Sequence, residues 1–247
     1  MSLSTSPSMA PPHPEQHTQH GELIRDCIIG FADGLTVPFA LTAGLSSLGS
    51  SKLVVVGGLA EIFAGAISMG LGAYLAAVTE KKHYDVEEAR EWDEVHHRPQ
   101  DEEREIYDIL GRYGISQADS QGVVQGLKQD KRMWVQFMMD FELKLSRPAD
   151  KGAWVEGLVM GLSYMLGGIL PMIPYFAFDN TNHALFTSIG VTVVILLIFG
   201  YFKAIFTGTT RRDAYWSALQ TLLIGVLAAG VSYGIIKGID SALKVRL

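Results

Sequence analysis

Residues 53–78 read LVVVGGLAEIFAGAISMGLGAYLAAV, an apolar stretch interrupted by one charged side chain, Glu61. The hydrocarbon core of a bilayer is about 30 Å thick, and about 20 helical residues are needed to cross it. Backbone groups in lipid must hydrogen-bond within their own segment, so the stretch is predicted to be a transmembrane helix. It therefore indicates a membrane protein that places a carboxyl group at membrane depth.

Four more apolar stretches bring the number of predicted spans to five. The five stretches cover residues 24–48, 53–78, 154–178, 185–206 and 214–236. Pro171 and Pro174 lie in the third and are expected to break that helix, since proline has no backbone N–H to donate. Glycines four residues apart in the third span (157 and 161) and in the fifth (230, 234 and 238) predict close contacts between helices.

The charged residues are concentrated between the second and third stretches. Of the 247 residues, positions 80–151 contain 17 Asp or Glu and 12 Lys or Arg, which accounts for −5 of the formal net charge of −6. The rest of the chain is nearly neutral and apolar, and it contains one cysteine. This distribution excludes a basic nucleic-acid binder, a disulfide-rich secreted domain and a disordered chain.

The predicted fold class is an all-α membrane protein with five transmembrane helices and a three-helix cytosolic insert between spans two and three. Residues 1–20, rich in Ser, Pro and His, are expected to be a disordered tail. Residues 21–78 would hold spans one and two, 79–150 the insert, and 151–243 spans three to five. Lys and Arg cluster at the membrane ends of the insert, so the N-terminus and the insert are expected in the cytosol, with the C-terminus on the opposite side.

Two carboxyl groups inside the predicted spans are the first candidate functional residues. A charged side chain at the bilayer centre costs about 2.5–3.5 kcal/mol on insertion scales, so such residues usually line a polar path. Asp33 lies midway along span one, and Glu61 shares a helix face with Gly65 and Met69 in span two. Gly65 is interpreted as an open patch for an ion or a helix. The carboxylates are hard ligands and the thioether is soft, so the set favours a divalent transition metal: Fe(II), Mn(II), Co(II) or Zn(II).

The insert carries a second set of metal-ligand residue types. Glu91 and Glu94 share one helix face, Glu102 and Glu105 are three residues apart on the next helix, and Met138, Met139 and Glu142 lie within one turn of the third. Like charges brought together cost energy unless a cation neutralises them. A bundle of these helices would therefore bind a divalent metal, although acidic runs are also typical of a solvated helix face.

Three segments form a distinctive combination along the chain: DGLTVPFAL at 33–41, EIFAGAISMG at 61–70 and GGILPMIP at 167–174. In this order they resemble the vacuolar iron transporter family, especially its plant members. The resemblance implies a homodimeric Fe(II)/proton antiporter that moves cytosolic iron into an acidic vacuole for storage and detoxification. It also implies that Asp33, Glu61 and Met69 line the transport path. The metal ligands of the insert would then be Glu91, Glu94, Glu102, Glu105, Met138, Met139 and Glu142.

Other functions remain open at this point. One is a membrane-bound di-iron enzyme of the ferroxidase type, but the Glu-x-x-His pairs Glu80/His83 and Glu94/His97 are interpreted as chance and disfavour it. Both pairs fall on one predicted helix, whereas such sites take them from separate helices. A related Mn(II) transporter and a membrane protein that senses metal without transport are the remaining alternatives. The expected partners are lipid, protons, transition-metal ions and a second copy of the chain, without nucleic acid.

Overall fold

The computed structural model describes residues 21–148 and 152–244. Within these residues the chain forms eight α-helices and no strand. The helices are α1 (Gly21–Ser46), α2 (Ser51–His97), α3 (Pro99–Gly111), α4 (Gln117–Gln129), α5 (Lys131–Phe141), α6 (Ala153–Ala177), α7 (Thr181–Phe206) and α8 (Arg211–Lys244). The predicted N-terminal tail, residues 1–20, lies outside the described residues.

Five of these helices, α1, α2, α6, α7 and α8, are long and apolar enough to cross a membrane. They correspond in order to the five predicted spans, so the all-α fold with five membrane-length helices is confirmed. Their outward faces carry exposed large apolar side chains, such as Phe63, Ile67 and Phe186. Such a surface is unsuited to water and suits contact with lipid tails or another apolar helix.

Helix α6 is the centre of the membrane-length bundle and packs against α1 and α2, while α8 packs against α1 and α7. The predicted glycine contact in α6 is confirmed: a methyl group added at Gly161 would lie 2.8 Å from the Ala66 carbonyl oxygen of α2. Within one chain the same prediction is not met at the glycines 230, 234 and 238 of α8, since added methyl groups there would meet nothing within 4 Å among the described residues.

The prediction that Pro171 and Pro174 break the third span is also wrong. Helix α6 runs without interruption past both prolines to Ala177, and both proline side chains are buried. Each proline removes one backbone donor. The surrounding helices hold the segment in place, and Ser188 of α7 donates from its Oγ to the Pro171 carbonyl oxygen at 2.7 Å. Membrane helices tolerate proline where neighbouring helices and hydroxyl side chains provide this support.

The polar segment between the second and third spans is built on the second half of α2. That helix has 47 residues and is about 70 Å long, more than twice the thickness of a bilayer core. The segment contains three more helices rather than two, because the predicted third helix is divided at Asp130. This residue is the N-cap of α5, and its Oδ1 accepts from the backbone N–H groups of Arg132 and Met133.

Helices α2 to α5 enclose an apolar core of their own. Its buried members are Tyr84, Val95, Ile106, Ile109, Val124, Trp134, Val135, Met138 and Met139. Phe141, at the end of α5, is 46% exposed and stacks on Phe137 at a centroid distance of 4.7 Å. This small core holds the ends of four helices together, and carboxyl groups from three of them meet beside it.

Candidate transport path and metal site

Glu61, in the apolar half of α2, is hydrogen-bonded across the bundle. Its Oε1 accepts from the hydroxyl of Tyr164 of α6 at 2.8 Å. The tyrosine side chain is only 3% exposed, and Glu61 is partly buried. The carboxyl group therefore belongs to the helix interface and does not point freely into lipid.

Gly65, one turn after Glu61, admits a neighbouring helix, which is one of the two possibilities predicted for it, and it leaves no open patch for an ion. The space above it is filled by the ring of Tyr164, because a methyl group added at Gly65 would overlap three atoms of that side chain. Tyr164 is the residue of this candidate site that the sequence analysis missed. The third apolar span contains two tyrosines, Tyr164 and Tyr175, and these were the available signal, since a buried phenol hydroxyl needs a hydrogen-bonding partner.

Asp33 approaches the same tyrosine from α1. Its side chain is partly buried. The next residue, Gly34, packs directly against the Tyr164 backbone carbonyl. Met69 is partly buried two turns after Glu61 on α2. It is about 12 Å further along the helix axis, so Met69 and Glu61 are separate positions for an ion.

The second candidate site lies in the polar segment, where Glu91 of α2, Glu102 of α3 and Glu142 at the end of α5 converge. One carboxylate oxygen from each lies within 4.8 Å of the others. We call these residues the acidic triad. Glu91 and Glu102 are 2% and 3% exposed, and each member has an Oε2 that is buried with no hydrogen-bond partner. Orphaned buried oxygens directed at one point are the arrangement expected of cation ligands.

The acidic triad holds its protons more tightly than ordinary carboxyl groups. Burial raises the pKa of Glu102 to about 8, with a further contribution from the negative charges of Glu105 and Glu91. Burial likewise raises the pKa of Glu91 to about 7, helped by the charge of Glu94. The pKa of Glu142 rises to about 7 through burial, the charges of Glu105 and Glu91, and a hydrogen bond with Glu105. A divalent cation among these groups would displace the protons and offset the repulsion.

The other residues expected to bind metal in the insert lie around the triad. Glu105 is partly buried, and its charge acts on Glu142, while Glu94 is partly buried and forms an ion pair with Arg90 at 3.5 Å. Met138 and Met139 are fully buried within the apolar core. The structure thus brings Glu91, Glu102 and Glu142 together as candidate ligands, and it places the two methionines in the core beside them.

Three carboxylates supply oxygen ligands, which suit Mg, Ca, Mn and Fe(II). Among the described residues the triad includes no histidine, and the Glu-x-x-His pairs at 80/83 and 94/97 all lie on α2, as predicted. A di-iron centre of the bundle type needs such pairs on different helices. The site therefore has the composition of a carboxylate cation site and lacks that of a helix-bundle oxidase.

The five membrane-length helices define a multi-span membrane protein. Asp33 and Glu61 within these helices, and the acidic triad outside them, are residue types that bind cations. The sequence profile of the VIT family matches residues 24–237, and the chain belongs to this family. The resemblance to vacuolar iron transporters seen in the motifs is confirmed.

Similar proteins cover nearly the whole chain. "Vacuolar iron transporter 1" of Oryza sativa subsp. japonica is 47% identical over 230 residues, which span 93% of this chain and 90% of the relative. "Vacuolar iron transporter" of Centaurea cyanus is 45% identical over 231 residues, with 93% of each chain covered. "Protein CCC1" of Saccharomyces cerevisiae is 38% identical over 220 residues, which span 87% of this chain and 68% of the relative.

Proposed function

We propose that the chain is a secondary transporter that exchanges cytosolic Fe(II) for protons across the vacuolar membrane, and that it stores iron in the vacuole. The observation that carries the proposal is that Glu61 is hydrogen-bonded to Tyr164 inside a bundle of membrane-length helices, and that Asp33 lies next to Gly34, which packs against the backbone of the same tyrosine. The names of its relatives, which are iron transporters at up to 47% identity, support the choice of substrate.

The proposed cycle follows from carboxylate chemistry. An ion coming from the cytosol would pass Met69 first, because Met69 lies between Glu61 and the polar half of α2 and offers a softer position. Ionised Asp33 and Glu61 would then bind the cation. Protons from an acidic lumen then neutralise the carboxylates, which removes the ligands and releases the ion. The acidic triad would collect the cation first, since it concentrates negative charge at the polar end of α2.

The proposed arrangement places the N-terminus and the polar segment in the cytosol and the C-terminus in the vacuolar lumen. Residues 21–78 and 151–243 form the membrane part, with the metal-binding insert at 79–150 between them. Five spans enclose little space around Glu61, so two copies of the chain are proposed to form the path together. The exposed apolar faces of the bundle suit either lipid or such a partner.

The test is metal uptake by purified protein in liposomes with an acidic interior. Asp33→Asn and Glu61→Gln should each reduce Fe(II) uptake to the background of empty liposomes, because each removes a negative ligand from the path. Asp179→Asn is the control, since Asp179 lies in the exposed connection between α6 and α7. Wild-type uptake rates in both path variants would contradict the proposal.

Parallel measurements separate the alternatives. Uptake of Mn(II) and Zn(II) beside Fe(II) distinguishes an iron transporter from a manganese transporter. Oxygen consumption on adding Fe(II) to detergent-solubilised protein identifies a ferroxidase. Uptake that does not change when the pH gradient is collapsed would refute coupling to protons while leaving metal transport in place.

A further inference from the structure

Tyr164 of α6 contacts residues of two other helices, α1 and α2. Its hydroxyl donates to Glu61 Oε1 of α2 at 2.8 Å, and its backbone carbonyl packs on Gly34 of α1, next to Asp33. The side chain itself comes from α6 and is 3% exposed. The residue thus links the two helices that carry the candidate transport carboxyls.

Two glycines make this placement possible. A methyl group at Gly65 would overlap the tyrosine ring, and one at Gly34 would overlap the Tyr164 backbone. Backbone cannot move away as the end of a flexible side chain can, so the close approach of α1 sets where α6 lies. The tyrosine ring then rests against α2 at Gly65. Packing, rather than the hydrogen bond alone, therefore determines the position of the hydroxyl.

The hydrogen bond from Tyr164 occupies only one of the two carboxylate oxygens of Glu61. A carboxylate has two oxygens and about four acceptor positions. The Tyr164 hydroxyl occupies Oε1, and Oε2 has no hydrogen bond among the described residues. A cation can therefore bind Oε2 while the tyrosine still holds Oε1. A donor held by packing restricts the rotation of the carboxylate and lowers the entropy that is lost when the ion binds.

We infer that Tyr164 is a positioning residue for cation binding: its hydroxyl holds the Glu61 carboxylate by Oε1 and presents Oε2 to the ion. The inference rests on the proposed function, in which Glu61 is a ligand on the path. A merely structural role would affect stability. A positioning role should affect the concentration of metal needed for transport and leave the maximal rate nearly unchanged.

The chain offers a matched control on the same helix. Tyr175 of α6 is also 3% exposed, and its hydroxyl is hydrogen-bonded to Ser46 of α1 at 2.9 Å, away from both carboxyl groups. Tyr164→Phe and Tyr175→Phe each delete one buried hydroxyl and keep the ring. Tyr164→Phe removes the charge-assisted hydrogen bond that fixes the Glu61 carboxylate, so it should raise the KM for Fe(II) in proteoliposomes about tenfold, with the maximal rate within about twofold.

Tyr175→Phe should leave the KM within about twofold of the wild type, and thermal unfolding in detergent should confirm that both variants fold. Equal KM values for the two variants, with iron uptake intact, would overturn the positioning role and leave the antiporter proposal standing. A fall in the maximal rate of Tyr164→Phe at unchanged KM would also overturn it.

A binding measurement covers the case in which the wild-type protein moves no iron and the proposed function fails. The protein is titrated with Mn(II) in a background that carries Glu91→Gln, Glu102→Gln and Glu142→Gln, which removes the acidic triad. Adding Tyr164→Phe to this background should weaken the remaining binding about tenfold, whereas adding Tyr175→Phe should not. Unchanged binding, or none to begin with, would refute the inference.

Discussion

Replacing Glu102 with glutamine should stabilise the protein when no metal is bound. Glu102 is 3% exposed, its Oε2 has no hydrogen-bond partner, and Glu91 and Glu142 lie beside it. Burial raises its pKa from the ordinary 4.5 to about 8. At neutral pH the folded protein must therefore hold a proton that the unfolded chain releases, and this opposes folding. Glutamine has the same shape and no charge to neutralise.

The size of the effect follows from the pKa. One pKa unit corresponds to about 1.4 kcal/mol. Holding the proton on Glu102 costs the folded state about 1 kcal/mol at pH 5.5 and roughly 3 kcal/mol at pH 7, and the cost stops growing above about pH 8. Glu102 is a carboxyl group whose pKa is raised in the folded state. Its protonation costs no folding stability below the ordinary pKa of 4.5, and folding stability is lost as the pH rises through the folded-state pKa of about 8.

The assay is thermal unfolding of the full chain in detergent, with and without Mn(II). Without metal, Glu102→Gln should raise the melting temperature by roughly 5–10 °C at pH 7 and by less at pH 5.5. With metal at about 100 times its Kd, the wild type should gain about 2.7 kcal/mol, and the variant should lose most of this gain. The two proteins should then unfold at similar temperatures.

Glu103→Gln is the matched control one position along α3. Glu103 pairs with Lys128 instead of joining the triad, and it is partly exposed. Breaking a partly exposed ion pair costs about 0–1 kcal/mol, so this variant should be slightly less stable and keep its response to metal. A lower melting temperature for metal-free Glu102→Gln at pH 7, or an intact metal response in that variant, would refute the assignment of the acidic triad as a cation site.

Three further outcomes follow from other parts of the structure. Gly34→Ala should destabilise the folded protein by about 1–3 kcal/mol, because its methyl group would overlap the Tyr164 backbone. Gly230→Ala is the comparison: its methyl group would meet no atom within 4 Å among the described residues, so the substitution should cost no stability. Chemical denaturation in detergent measures the unfolding free energy of both variants. Asp130→Ala should remove the N-cap of α5 and cost about 1 kcal/mol, and an equal melting temperature would contradict the capping role. The affinity of the triad for Mn(II) should rise about tenfold or more from pH 6 to pH 8 as its carboxyl groups lose their protons; a flat profile in calorimetric titrations would exclude the triad as the binding site.

The sequence predicted some features of the helix packing correctly and others not. The Gly157 and Gly161 pair was interpreted correctly, because α2 presents small residues and bare backbone at the same level. The same spacing at Gly230 and Gly234 was misleading, since spacing describes a surface and does not say whether another helix covers it. Pro171 shows the opposite error: its effect on the backbone is real, but buried packing and Ser188 keep α6 continuous.

The amino-acid sequence by itself determined the five membrane-length helices, the polar segment between the second and third, and the acidic residues available in each. Length, apolar content and charge are local quantities, and lipid tolerates only segments that satisfy their own backbone. The tertiary structure alone decided that Glu91, Glu102 and Glu142 meet while the methionines turn into the core, and that Tyr164 covers Gly65 and binds Glu61. These contacts depend on how each helix is rotated about its axis and shifted along it relative to its neighbours. The packing of all the helices together sets these positions.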